Sequence, residues 1–298
     1  MAGGSPMSPL SGRLARYVAG VRNGLSRDDL GGALVIALGA AAVGMAGGWI
    51  GPAAGRWLAL VTALVAGLTM QLAVLRGMRE QARRSEAILA LTMALKPEVP
   101  LPVFSGWAVH PTLARLLVTT VFEQRPGMIV ECGSGISTLV FAYAVRTLGH
   151  GSVVSLEHDP VYAEQTRSWL RVHGVSAWAQ VLTVPLVPHR LNGHQWRWYD
   201  LTTVQFPAPI DLLFVDGPPG GLQRLSRYPA GPLLAQRLAN EAIMILDDVH
   251  RFDERAIVSR WAVELGWRVI GSSSDHSAAV LMRTAGLVSG QGLGQVTS

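Results

Sequence analysis

The chain of 298 residues contains one cysteine, Cys132, and one lysine, Lys96. A lone cysteine closes no internal disulfide, which excludes a secreted disulfide scaffold and fits a reducing compartment. Residues 97–298 contain no lysine at all, so any acid–base chemistry there uses other groups. Charged residues are scarce, at 15%, and the net charge of +5 is unevenly placed. Residues 1–96 carry ten Lys/Arg against four Asp/Glu, a net of +6, whereas residues 97–298 carry fifteen against sixteen, a net of −1. The larger part thus has no basic footprint for nucleic acid. No internal repeat is visible.

The N-terminal third holds long uncharged runs. Twenty-six residues separate Asp29 from Arg56, and nineteen more separate Arg56 from Arg76. Crossing a bilayer takes roughly 20 apolar residues. The two runs predict a transmembrane helical hairpin within residues 30–76, with helices near 31–50 and 56–75 and the turn "GPAAGR" between them. Arg13, Arg16, Arg22 and Arg27 precede the pair, and Arg76, Arg79, Arg83 and Arg84 follow it. The excess of arginine at both ends places them in the cytoplasm. Gly44 and Gly48 stand at the spacing that lets helices pack closely. A basic segment, 1–29, comes before the hairpin. A helix and proline-rich linker, 77–104, follows it, with "KPEVPLP" as the break.

Beyond the linker, short apolar runs alternate with helical patterns. "GMIVEC", "GSVVSLEH", "AQVLTVPL", "DLLFVDG", "EAIMILDD", "WRVIGS" and "SAAVLMRT" read as strands, with a helix before the first and helices between consecutive members of the first six, except the third and fourth. This alternation predicts an α/β domain over 105–283: a doubly wound, mostly parallel, seven-stranded Rossmann-like sheet with helices on both faces. A flexible tail, 284–298, closes the chain.

In such sheets ligands sit at the carboxyl ends of the strands. There the sequence places Glu131, Gly133 and Gly135 after the first strand, and Glu157 and His158 after the second. Asp216 follows the fourth, and Asp247, Asp248 and His250 follow the fifth. "VECGSGIST" has two of the three glycines of a dinucleotide-binding loop, the third position being Thr138. Gly133 and Gly135 allow close backbone approach to a ligand, and an acid ending the next strand, Glu157, suits a ribose diol.

At these residues the chain resembles the class I S-adenosylmethionine-dependent methyltransferases. Their first motif, E/D-x-G-x-G-x-S/T, is matched by Glu131, Gly133, Gly135 and Ser137. The resemblance covers about 105–283. It implies that S-adenosylmethionine is the cofactor and that Glu131 holds its ammonium group, directly or through water. It also implies that the Gly133–Ser137 loop, including Ser134, wraps its amino-acid end and ribose, with Glu157 and His158 at the ribose. A nicotinamide oxidoreductase and a non-catalytic membrane adaptor remain as alternatives. The missing third glycine weighs against the first, and the intact set of acids and glycines against the second.

Neighbouring strand ends bring Asp216 together with Asp247 and Asp248. Three adjacent carboxylates stay ionised only beside a cation; otherwise at least one takes up a proton. Hard oxygen ligands suit Mg²⁺. The pattern is similar to the catechol O-methyltransferase-like divalent-metal enzymes, which implies metal ligation by Asp216, Asp247 and Asp248 and methyl transfer to a hydroxyl. The lysine that serves those enzymes as general base is replaced here by Pro219, which leaves Asp216 and His250 as catalytic candidates. A metal-independent methyltransferase with the same acids is the other form of this reading. "PHRLNGHQWRWYDL", 188–201, is an aromatic insertion that suits a lid, a flap on the sheet edge or a lipid-facing loop. Together these features describe a membrane-anchored methyltransferase facing the cytoplasm and acting on a small-molecule or lipid-linked hydroxyl acceptor.

Overall fold

Seven strands form one twisted sheet, and its two faces are covered by different elements. The structure, a computed structural model, describes residues 52–104, 106, 108–273 and 277–283. The first expected transmembrane helix, 31–50, and the tail, 284–298, lie outside the described residues. The chain divides into two compact units, 1–85 and 86–298.

In the first unit the described residues are helical, the start of α1 (Pro52–Leu95). Within 55–95 this helix is long and apolar enough to cross a membrane, by length and composition. Trp57, Leu60, Leu64, Leu68 and Leu75 are all exposed along it. The last turns of α1 belong to the second unit. There Ala87, Leu91 and Leu95, spaced four apart on one helical face, are each 1% exposed. Leu91 and Leu95 share a core with Leu113 and Leu117 of α2 (Pro111–Gln124). Part of the segment expected to be helix and linker is thus core of the larger unit.

The sheet is built from β1 (Met128–Cys132), β2 (Ser152–Glu157), β3 (Ala179–Thr183), β6 (Ile210–Val215), β7 (Leu238–Leu246), β8 (Trp267–Ser272) and β9 (Ala279–Arg283). The spatial order is β3-β2-β1-β6-β7-β9-β8. The first five strands pair in parallel, and β9 runs antiparallel to both neighbours. This is the expected doubly wound, mostly parallel, Rossmann-like sheet. Successive side chains point to opposite faces, and β1 shows why both faces are dry. Ile129 packs with α2, α3 (Ile136–Leu148) and α4 (Pro160–Val172), whereas Met128, Val130 and Cys132 pack on the other side.

That second side differs from expectation. The aromatic insertion is an antiparallel hairpin, β4 (Leu186–Leu191) and β5 (His194–Tyr199). Its two-residue loop, Asn192-Gly193, has φ of 49° and 77°, the left-handed pair that Asn-Gly favours in tight hairpins. Trp198 and Tyr199 are fully buried in the same core as Trp261 of α6 (Phe252–Glu264) and Leu234 of the short helix α5 (Ala230–Leu234). The third strand ends at Thr183 because the chain turns there into the hairpin.

Candidate active site

The carboxyl ends of β1, β2, β6 and β7 open onto one cleft of about 710 Å³, all within the larger unit. Glu131, Gly133, Ser134, Gly135, Ser137, Glu157, His158, Asp216, Asp247 and Asp248 all line it. Val103, Ala108 and Val109, before α2, add apolar wall.

Glu131 lies at the end of β1 and is 1% exposed. One oxygen, Oε2, accepts hydrogen bonds from Thr138 Oγ1 at 2.5 Å and Ser155 Oγ at 2.6 Å. The other, Oε1, is buried without a partner. Burial pushes this carboxyl up to about 7, against the hydroxyls of Ser137, Ser155 and Thr138, which favour the charged form. Thr138 is the residue that stands where a dinucleotide loop has its third glycine. Its hydroxyl also accepts from Gly135 N at 3.1 Å, so it ties the loop to the acid.

Gly133 has φ of 102°, a left-handed conformation that glycine adopts without strain. Its N–H donates to Leu156 O at 2.8 Å, which folds the loop over the end of β2. There Glu157 accepts from Ser134 Oγ at 3.1 Å and from Asp159 N at 2.9 Å. His158 Nδ1 lies 2.9 Å from Glu157 Oε1. That carboxylate holds the imidazole above its ordinary value.

The three aspartates converge as expected, with one oxygen from each within 4.8 Å of the others. Asp248 reaches the group from a turn, with φ of 62°, which Asp tolerates better than most residues. What sequence reading missed is the guanidinium among them. Arg227 is 3% exposed. Its Nη2 lies 3.0 Å from Asp216 Oδ1 and 2.9 Å from Asp248 Oδ2, and its Nη1 donates to Asp247 O at 3.1 Å. Arg251 Nη1 meets Asp248 Oδ2 at 2.8 Å. Burial raises the Asp216 carboxyl well above the ordinary carboxylate range, Arg227 opposes this, and Asp247 and Asp248 add to it.

Tyr199, in the aromatic insertion, is a further cleft-lining residue to which no spacing in the sequence points. It ends β5, lines the cleft and keeps a buried hydroxyl without a partner. His250 is not brought in. It is exposed on the turn after Asp248 and does not line the cleft. The left-handed turn at Asp248 carries the chain out of the cleft before it reaches His250.

Residues 130–249 match a family described as "Methyltransferase domain". The match spans every site residue from Glu131 to Asp248. No curated protein matches the chain. Among solved structures, the chain is similar to cofactor-bound Rv0187 from MTB, with 18% identity over 67% of this chain and 89% of that one and a TM-score of 0.45. It is similar to the O-methyltransferase from Bacillus cereus in complex with SAH, with 18% identity, 67% and 89% coverage and a TM-score of 0.43. It is also similar to the O-methyltransferase TomG from Streptomyces achromogenes, solved with SAM, with 19% identity, 67% and 90% coverage and a TM-score of 0.44.

Proposed function

We propose that the protein is an S-adenosylmethionine-dependent O-methyltransferase tethered to a membrane by its N-terminal segment. The single observation that carries this reading is Glu131 Oε1, a buried carboxylate oxygen without a partner, facing a cleft that also holds Glu157. Such an oxygen is costly unless a ligand supplies a donor. A methionine ammonium supplies one and a positive charge as well. When bound, S-adenosylmethionine supplies an electrophilic methyl group on a sulfonium.

The chain's own residues would do the rest. Glu131 binds the ammonium, and the loop 133–137 folds its backbone against the ligand. Glu157 accepts from the ribose hydroxyls, with His158 alongside. Asp216, 22% exposed at its side chain, stands where an acceptor hydroxyl can donate to it and give up its proton as the oxygen attacks. Asp216 rather than His250 is the acid–base group of this mechanism, because only Asp216 lines the cleft. Placement of two reactants in one sheltered cleft supplies much of the acceleration.

Divalent-metal assistance depends on the groups around the acids. The donors have the chemistry that Mg²⁺ prefers. Asp216 Oδ1 and Asp248 Oδ2, however, are already held by Arg227 Nη2. A dication at the same oxygens would sit against a buried guanidinium anchored to Asp247 O. The residues present do not fit a resident divalent ion.

The membrane part of the reading rests on the exposed apolar side chains of α1 and on the arginines flanking the two apolar runs. It comprises two spans, 31–50 and 56–75, with both ends in the cytoplasm. The acceptor is a small-molecule or lipid-linked hydroxyl, met at the membrane surface. Calorimetric titration with S-adenosylmethionine tests the cofactor, with saturable one-to-one binding expected and no binding contradicting it. A reporter fused after Ser298 tests the topology. It is expected to be active only as a cytoplasmic reporter, and an extracytoplasmic signal would overturn the orientation.

A further inference from the structure

Three carboxylates and two guanidiniums meet at the ends of β6 and β7, leaving one negative charge in excess. Arg227 is the inner of the two cations and the better buried, at 4% side-chain exposure against 42% for Arg251. Its planar fork spans the strand ends, with Nη2 bridging Asp216 and Asp248 and Nη1 on the main chain of Asp247. A guanidinium is permanently charged and presents fixed donors, so it orders carboxylates much as a metal does. It differs in one respect: it has no open coordination position for a substrate oxygen.

We propose that Arg227 takes the place of a divalent metal in this site, so that the protein holds its acidic triad with an internal cation and binds no metal there. Arg227 is a positioning residue. It pairs with Asp216 and Asp248 and holds them in place, it opposes the protonation that burial favours at Asp216, and Asp216 accepts the proton. The surroundings of Arg227 support the substitution. It comes from the loop before α5 and lies among Asp216, Asp247 and Asp248, with Glu254 adding to its field. The contacts of Nη2 with two carboxylates and of Nη1 with Asp247 O offset the cost of its buried, unpartnered Nε. The inference rests on the proposed methyltransferase site for its meaning but not for its test.

The test is a Mn²⁺ titration of the full chain in detergent, followed by electron paramagnetic resonance, with S-adenosylhomocysteine affinity measured on the same samples. Wild type is expected to leave Mn²⁺ free at submillimolar concentrations. Arg227→Met is expected to bind one Mn²⁺ per chain at least tenfold more tightly than wild type. Arg227→Lys, which keeps the charge, is expected to exclude Mn²⁺ as wild type does. One tight Mn²⁺ on wild type, lost in Asp216→Asn, would overturn the proposal. So would an Arg227→Met chain that still binds S-adenosylhomocysteine yet gains no Mn²⁺. If Arg227→Met does not fold, the wild-type titration against Asp216→Asn decides alone. Failure of S-adenosylhomocysteine to bind any sample would instead contradict the methyltransferase reading, and the Mn²⁺ result on wild type would still stand.

Discussion

Glu131 is buried, and its burial acts against its charge. Without ligand, burial favours its protonated form, with a carboxyl near 7. In the unfolded chain the same group ionises at its ordinary value of 4.5. Between pH 4.5 and 7 the folded state therefore holds more protons, and stability falls as pH rises through that window. The difference corresponds to roughly 3 kcal/mol. Glu131→Gln is expected to flatten the slope between pH 5 and 7 in ligand-free thermal or urea unfolding. An unchanged slope would contradict the placement of the carboxyl. Of the site residues, those next to strand ends were legible in the sequence, because a strand end fixes where its next residues lie. Arg227 was not, since it lies eleven residues beyond Asp216 in an irregular loop where no spacing rule applies. Thr138 was visible only as a missing glycine, and its bond to Glu131 needed the fold.

The elements that cover the second face of the sheet show the same division. Period-two and helical patterns were enough for the main strands and for α2, α3, α4 and α6. The hairpin is not legible by that route, because its exposed positions, such as His194 and Arg197, give the segment the pattern of a polar loop. Asn192-Gly193 was the signal that could have found it. Trp198, on β5 of the hairpin, is fully buried, edge-on to Tyr199 at 5.1 Å between ring centroids. Trp198→Ala is expected to cost about 3–5 kcal/mol, read from the urea midpoint, and to weaken cofactor binding by loosening Tyr199. A loss below about 1 kcal/mol would contradict the hairpin's role as core. Tyr199 also meets Gly217, where an added Cβ would run into its hydroxyl and lie 3.0 Å from Gly133 N. The glycine in "VDGPPG" thus serves close packing between the two halves of the site.

At the scale of the molecule, the boundary between the two units falls within α1. Sequence composition placed the break at the prolines after Lys96, because prolines end helices whatever packs beside them. The core instead reaches back to Ala87, Leu91 and Leu95. A fragment starting at Glu86 is expected to fold, whereas one starting at 97 loses two buried leucines worth roughly 3–6 kcal/mol together. Equal stability of the two fragments in urea would contradict this boundary.

The central claim is that Glu131 is the carboxylate that receives a cationic cofactor. Its most direct measurement is a calorimetric titration of S-adenosylmethionine into wild type and Glu131→Gln at several pH values between 5.5 and 7. Wild-type affinity is expected to rise with pH toward 7, by up to about tenfold per unit, as the carboxyl gives up its proton. Glu131→Gln is expected to bind roughly 10- to 100-fold more weakly at pH 7, with little pH dependence, as the loss of a charge-assisted bond requires. Equal affinity of the two proteins across this range would contradict the account.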